Sequence, residues 1–195
     1  MDYAPHGAIM RAAVDHCHSL EDLLVMDFIG KSVFDEDRRE DILDDSRNEG
    51  LQRFALYDSA GLSNNRLMPL DDILYVIRKH HTTLSVFHLE NYFLMSLTYY
   101  RFPQLRELYL HYNAPQYKRP PIVLDSPTFS QFIIDLAQCC PKLQVLNVYE
   151  PPGRAKESVY PFTEDDVLYL IEHCRFLEQM RIDTIGLQFT WQRSH

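Results

Sequence analysis

The sequence predicts an α/β fold in which short strands lie side by side in a parallel sheet and helices connect them. The first observation is the pattern apolar-x-x-apolar-x-apolar, which recurs six times along the chain. The second is that the last two apolar positions are two residues apart, which is typical of a strand with one buried face. The third is a set of helical apolar stripes between several motifs, and strand–helix–strand alternation favours parallel strands.

Each motif predicts one strand whose first, fourth and sixth positions lie in the core. The first positions of successive motifs are 21 to 38 residues apart. One unit has too little apolar surface to be stable alone, so stacked units must share a continuous core. The six motifs are Leu20, Leu23, Val25; Leu51, Phe54, Leu56; Leu84, Phe87, Leu89; Leu105, Leu108, Leu110; Leu143, Leu146, Val148; and Leu177, Met180, Ile182.

Apolar residues at helical spacing predict four helices between or before these strands. Residues 35–48 give a weaker helical pattern, and the short step before the fourth strand has room for one helical turn at 94–97. The four stripes are Ile9, Ala12, Ala13, Cys17; Leu70, Ile73, Leu74, Ile77; Phe129, Phe132, Ile133, Leu136; and Val167, Leu170, Ile171.

Residues that favour helix ends flank two of these stripes. Ser126 can cap the third helix, Pro127 fits its first turn, and Pro141 ends it. Thr163 and Asp166 are spaced as in a capping box, with Asp in place of the usual Glu or Gln.

Composition describes a globular, acidic chain. Its 195 residues include 46% apolar and 24% charged residues, and the formal charge is −9. We expect one domain over 1–195 and no nucleic-acid partner, because phosphate binding needs a concentrated positive field. No apolar run reaches the length of a membrane span and no secretion signal is evident, so we predict no membrane partner and a cytoplasmic or nuclear location. The four cysteines are then expected to be free thiols.

The fourth motif resembles a leucine-rich repeat, because residues 105–113 follow the pattern LxxLxLxxN. Cys17, Cys140 and Cys174 each precede the first Leu of their unit by three residues. This register is similar to that of the cysteine-containing leucine-rich repeats of F-box proteins, and the resemblance covers residues 6–187.

The resemblance implies a leucine-rich-repeat solenoid of about six degenerate repeats, with a short parallel sheet on its concave side and helices on its convex side. Asn48, His81 and Phe102 replace the cysteine in the other units, and no segment resembles an F-box. We therefore expect the chain to be a fragment or a divergent member, with the F-box supplied by a missing segment or by another chain.

The concave face of such a sheet predicts a partner-binding surface, because repeat proteins commonly bind through it. Tyr and Arg are enriched at binding hot spots. The alternative is a solvated sheet face on which Tyr is simply a good strand former. The predicted binding residues on this face are Tyr57, His88, Tyr109, His111, Tyr149 and Arg181.

Two long segments, 111–125 and 149–162, are expected to leave the same edge of the sheet. Together they hold six of the 11 prolines. With Arg119 and Arg154 they give the hypothesis of a proline-stiffened basic lip for an acidic segment of a partner, although ordinary loop composition is the favoured interpretation. Residues 35–49 carry a net charge of −5 and are either an acidic docking patch or a solvated helix.

Enzyme chemistry has little support in the sequence. The clusters around Cys17, His80, Cys139 and His173 lack the paired spacing of zinc ligands, and no phosphate-binding glycine motif is present. We predict no catalytic residue, cofactor, metal or small-molecule substrate. Packing of the cysteines where helix meets strand is the favoured interpretation, and Cys139, one step out of register, is the thiol to test for reactivity.

The predicted function is that of a protein–protein interaction module whose partner is not identified. The F-box resemblance implies substrate recognition for a cullin-type ubiquitin ligase. The alternatives are a standalone structural or inhibitory scaffold and, less favoured, an enzyme that uses Cys139 or the histidine clusters.

Overall fold

The computed structural model describes residues 6–17, 20–26, 50–57, 70–90, 98–111, 129–150 and 161–194. These residues form four helices and seven strands. The helices are α1 (His6–His16), α2 (Leu70–His80), α3 (Phe129–Cys139) and α4 (Glu164–His173). The strands are β1 (Asp22–Met26), β2 (Arg53–Tyr57), β3 (Val86–Glu90), β4 (Glu107–His111), β5 (Val145–Tyr149), β6 (Gln179–Thr184) and β7 (Leu187–Gln192).

All seven strands belong to one sheet, in chain order from β1 to β7. Strands β1 to β6 pair in parallel, and their register aligns the same motif position of each unit. Phe54 pairs with Phe87, Phe87 with Leu108, and Leu108 with Leu146. The prediction of an α/β fold with six parallel strands is therefore confirmed.

The junction between helix and strand uses the same hydrogen bonds in different units. The amide of Cys140 donates to the carbonyl of Leu136 at 3.0 Å, and the carbonyl of Cys140 accepts from the amide of Leu143 at 3.1 Å. Cys174 makes the equivalent bonds to Leu170 and Leu177. The cysteine register thus marks the point where each helix ends and the chain turns into the next strand.

The residue before each strand links its unit to the next one. The carbonyl of Gln52 accepts hydrogen bonds from the amides of both Ser85 and Val86, at 2.7 and 3.0 Å. The carbonyl of Ser85 accepts from Arg106 and Glu107 in the same way. The pattern also occurs at Glu21, Arg106 and Gln144.

The core lies on the side of the sheet that the apolar positions of the motif face. Within the described residues these positions are almost fully buried in the second to sixth units, as with Phe54, Leu108 and Leu146. Burial of one such side chain stabilises the fold by roughly 1.5–3 kcal/mol. Leu20 and Leu23 of the first unit are only partly buried against the same core.

Helix α4 begins with the predicted capping box. The amide of Asp166 donates to Thr163 Oγ1 at 3.2 Å, and the amide of Thr163 donates to Asp166 Oδ2 at 2.9 Å. Two amide donors at the start of the helix are thereby satisfied. The substitution of Asp for Glu at the third helical position therefore preserves the cap.

Strand β7 is absent from the sequence prediction. It pairs antiparallel with β6 after a turn at which Gly186 has a φ of 104°. Leu187, Phe189 and Trp191 alternate along it and pack against the core. This shorter alternation does not follow the six-residue motif, so the motif does not predict the strand.

The remaining structural predictions have different outcomes. Cys17 is exposed, so the prediction that it packs between helix and strand is wrong, whereas Cys140 and Cys174 are buried. The weak helix at 35–48, the turn at 94–97 and the cap at 126–127 lie outside the described residues. The extent of the domain stays a prediction.

Candidate partner-binding surface

The face of the sheet opposite the core carries the third, fifth and seventh motif positions. In β4 and β5 the side chains alternate between half-buried and buried, so every second residue turns away from the core. We call this side the open face. A parallel register places equivalent side chains of neighbouring strands next to one another on it.

Four rings meet at the centre of the open face and form what we call the aromatic cluster: His88, Tyr109, His111 and Tyr149. His88 stacks on Tyr109 with ring centroids 5.6 Å apart. His111 meets His88 at 4.7 Å and Tyr149 at 5.9 Å, each edge to face. Such ring pairs contribute about 0.5–1.5 kcal/mol each beyond their buried area, so the surface is held in one arrangement.

Burial controls the charge of the two histidines. It lowers the pKa of His88 to about 4, and the neighbouring His111 adds to this effect. Burial also lowers the pKa of His111, against the opposing effect of a hydrogen bond with Asn147, and Arg181 lowers it further. Both imidazoles are therefore neutral at pH 7, and the centre of the open face carries no positive charge from them.

The Nε2 atom of His111 is buried and has no hydrogen-bond partner among the described residues. An unsatisfied buried polar atom costs roughly 1–3 kcal/mol. A hydrogen-bonding group that reached this atom through a small shift of the neighbouring rings would recover part of that cost. The cluster thus offers a polar contact as well as aromatic area.

Charged groups border the aromatic cluster on both sides. On the β1–β2 side, Arg53 donates two hydrogen bonds to Asp22, both at 2.6 Å. On the β6 side, Arg181 lies 3.6 Å from Asp183. Within the cluster, the Tyr109 hydroxyl donates to Glu107 at 2.7 Å. The open face therefore combines a centre of neutral rings, with the Glu107 carboxylate beside Tyr109, and ion pairs at its margins.

Five of the six residues predicted on this face are in the places expected from the motif. Four form the aromatic cluster, and Arg181 is exposed beside it. The backbone of Tyr57 lies in β2, opposite Met26, but its side chain is outside the described part of the structure. Arg119 and Arg154 lie outside the described residues altogether, as does the acidic segment 35–49.

Glu107 and Asn147 contact the aromatic cluster but are missing from the predicted binding residues. Their signal was present in the sequence, since they occupy the third and fifth motif positions. The Asp22–Arg53 pair, at the third motif position, is likewise missing from the predicted binding residues.

The thiols other than Cys17 have limited access to solvent. Burial raises the pKa of Cys174 to about 11 and that of Cys140 well above its usual value. Burial and the nearby Asp135 also raise the pKa of Cys139, whose Sγ donates to the carbonyl of Thr98 at 3.2 Å. Because the thiolate is the reactive form, this environment disfavours Cys139 as a nucleophile.

Among the described residues, no group of three or more His, Cys, Asp or Glu side chains is arranged to hold a metal ion. None of the helices in the described segments combines the length and apolar character needed to cross a membrane. Comparisons with protein-family models, with curated proteins and with solved structures found no match for this chain. The absence of a catalytic site, cofactor and metal remains a prediction.

Proposed function

We propose that this chain is a leucine-rich-repeat type solenoid that acts as a protein-binding module through its open face. The observation that carries the proposal is the aromatic cluster, in which two tyrosines and two neutral histidines from three adjacent strands interlock on an otherwise solvent-facing sheet. Tyrosine-rich surfaces with satisfied polar margins are typical of binding hot spots.

Two features support the repeat architecture. Six strands follow one another in chain order with equivalent motif positions paired. The residue before each of the first five strands makes the same two hydrogen bonds to the following unit. Units related in this way, with variable segments between them, are the usual basis of repeat proteins.

The arrangement favours a partner that presents an uncharged, flat or aromatic group to the centre of the face. His88 and His111 are neutral at pH 7 and add ring area without a charge that the partner would have to match. Since ring contacts fix the cluster before binding, association loses less conformational entropy than it would on a flexible surface. Polar groups of the partner would then meet Asp22, Arg53, Arg181 and Asp183 at the margins.

The test is affinity capture from a cell lysate with quantitative mass spectrometry, followed by direct binding measurements on the captured protein. Tyr149→Ala removes an outer ring of the cluster and should weaken binding at least about tenfold, as expected for a hot spot. Leu168→Ala, which truncates an exposed side chain on α4, is the control and should leave binding unchanged. Equal effects of the two variants, or none from Tyr149→Ala, would contradict the proposal.

The similarity of the Cys140 and Cys174 junctions to those of F-box proteins extends the proposal to substrate recognition for a cullin-type ubiquitin ligase. Reproducible co-purification of a ligase adaptor would support this extension. Capture of a partner without any adaptor would favour a standalone scaffold, and the role of the open face would still stand.

A further inference from the structure

The turns that lead from the helices into the strands lie along one edge of the sheet, at the start of β3 to β6. We call this edge, with the end of β7 beside it, the basic turn edge. It consists of residues 80–85, 99–106, 140–144, 174–178 and 193–194.

Hydrogen bonds connect successive turns, so the basic turn edge is continuous. The carbonyl of Arg101 accepts from His81 Nδ1 at 2.8 Å, which joins the first two turns. Lys142 Nζ donates to Gln104 Oε1 at 2.7 Å, which joins the next two. At the far end, Arg193 Nη1 donates to the carbonyl of Arg175 at 2.6 Å.

Positive charge is concentrated on this edge of an acidic chain. The whole chain has a formal charge of −9. The basic turn edge nevertheless holds five cations against one carboxylate, Glu178. The cations are Arg101, Arg106, Lys142, Arg175 and Arg193.

Carboxylates pair with four of the other five cations of the described chain, all except Arg78, but with none of these five. Arg11 and Lys79 bind Asp15, Arg53 binds Asp22, and Arg181 lies beside Asp183. In the described part of the chain, none of the five cations of the basic turn edge makes a salt bridge. Their charge is therefore available to an external anion, which would also relieve their mutual repulsion.

Large apolar side chains are exposed among these cations. Tyr99 is 76% exposed and Phe176 is 56% exposed. Within the described residues only Leu24 and Leu168 are comparable, and they lie elsewhere on β1 and α4. Exposed aromatic groups beside unpaired cations are characteristic of surfaces that bind peptides.

We propose that the basic turn edge is a second docking surface, which binds an acidic peptide segment of a protein partner with Tyr99 and Phe176 as apolar anchors. Charge complementarity favours this occupant. A long polyanion such as nucleic acid would experience the repulsion of the acidic chain as a whole, whereas a short peptide meets mainly the local positive field. This surface is separate from the aromatic cluster and does not depend on the function proposed for the open face.

The experiment measures fluorescence anisotropy of a short fluorescein-labelled peptide in which Glu and Asp alternate with Leu. We expect wild-type protein to bind it and binding to weaken as sodium chloride is raised. Lys142→Glu and Arg175→Glu together should reduce affinity at least about tenfold. The control is Ser130→Glu, which makes the same charge change as Arg175→Gln at an exposed position in the first turn of α3, the end of that helix opposite the turn at 140–144, and it should have a much smaller effect.

Thermal unfolding of each variant verifies that it is folded, and Arg175→Gln, which removes the charge without reversing it, should give an intermediate loss. The proposal is overturned if wild-type protein fails to bind the peptide, if Ser130→Glu weakens binding as much as Arg175→Gln does, or if a Lys-for-Glu peptide binds equally well. Tighter binding of single-stranded DNA or of phosphatidylserine vesicles than of the peptide would also overturn it.

Discussion

The two ends of the sheet are completed in different ways. At the β6 end, β7 adds a full antiparallel partner, and its Phe189 and Trp191 pack, partly buried, against the core. At the β1 end, Leu20 and Leu23 are only partly buried, and Leu24 of β1 is 59% exposed. Among the described residues, nothing pairs with the outer side of β1. The comparison teaches that an added antiparallel strand can cover one end of a parallel sheet and become its outer strand, while at the other end the parallel strand β1 is itself the outer strand.

The largest expected effect comes from truncating one apolar side chain at each end of the sheet. Trp191→Ala should lower the free energy of unfolding by about 3 kcal/mol, because a large ring is lost from the strand that covers β6. Leu23→Ala should cost about 1–2 kcal/mol, because both side chains are partly exposed and truncating Leu removes fewer buried atoms than truncating the larger indole ring does. Urea unfolding measures both. Thr190→Ala, on the opposite face of β7, is the control, and a Leu23→Ala effect as large as that of Trp191→Ala would contradict the comparison.

Lowering the pH should reduce the stabilisation that comes from the middle of the sheet, where His88 lies. The folded-state pKa of His88 is about 4, below the 6.5 of an ordinary histidine, so the unfolded chain binds a proton more readily. The stabilisation associated with neutral His88 is therefore complete above pH 6.5 and lost as the pH falls towards 4. After allowance for partial exposure, the loss should be about 1–2 kcal/mol.

The measurement is the pH dependence of urea unfolding for wild-type protein and for His88→Gln, which does not titrate in this range. The difference in unfolding free energy between the two proteins should narrow as the pH falls from 6.5 to 4, the range set by the two pKa values. Parallel curves would show that His88 is not held neutral by the fold.

A smaller effect is expected at the hairpin itself. Gly186 has a φ of 104°, which a residue with a Cβ rarely adopts, although no atom crowds the position. Gly186→Ala should therefore destabilise the protein by about 1 kcal/mol through the backbone alone. Gly186→Asn should cost less, because Asn tolerates positive φ more easily. If thermal unfolding shows that the Ala variant is as stable as the wild-type protein, the hairpin does not limit the stability of the β6 end.

The six parallel strands could be predicted from the sequence because their signals are local. Leu, Phe and Cys at fixed spacing specify both the strand and the point where the helix ends, and Thr163 with Asp166 specifies one cap. The hairpin cannot be predicted from this six-residue spacing, since β7 follows β6 after only two residues. Cys17 illustrates another limit, because its spacing matches Cys140 and Cys174 while its burial depends on what the neighbouring unit supplies.

The candidate site was predictable to a similar extent. Alternation along each strand places Tyr109, His111 and Tyr149 on one face, and their side-by-side arrangement follows from parallel register. The contacts that give the surface its chemistry are not local. His111 of β4 contacts His88 of the neighbouring strand β3 diagonally. Burial lowers the pKa values of both histidines. Neither a distance between strands nor a degree of solvation can be obtained from spacing in the sequence.

The residue before each of the first five strands has a carbonyl that accepts two hydrogen bonds from the following unit, and this has a practical consequence. It sets the distance from one strand to the next through backbone atoms alone, while the connecting stretches vary widely in length. Foreign sequence inserted into those stretches should then leave the pitch of the scaffold unchanged, which makes them suitable places for an epitope or a fluorescent reporter.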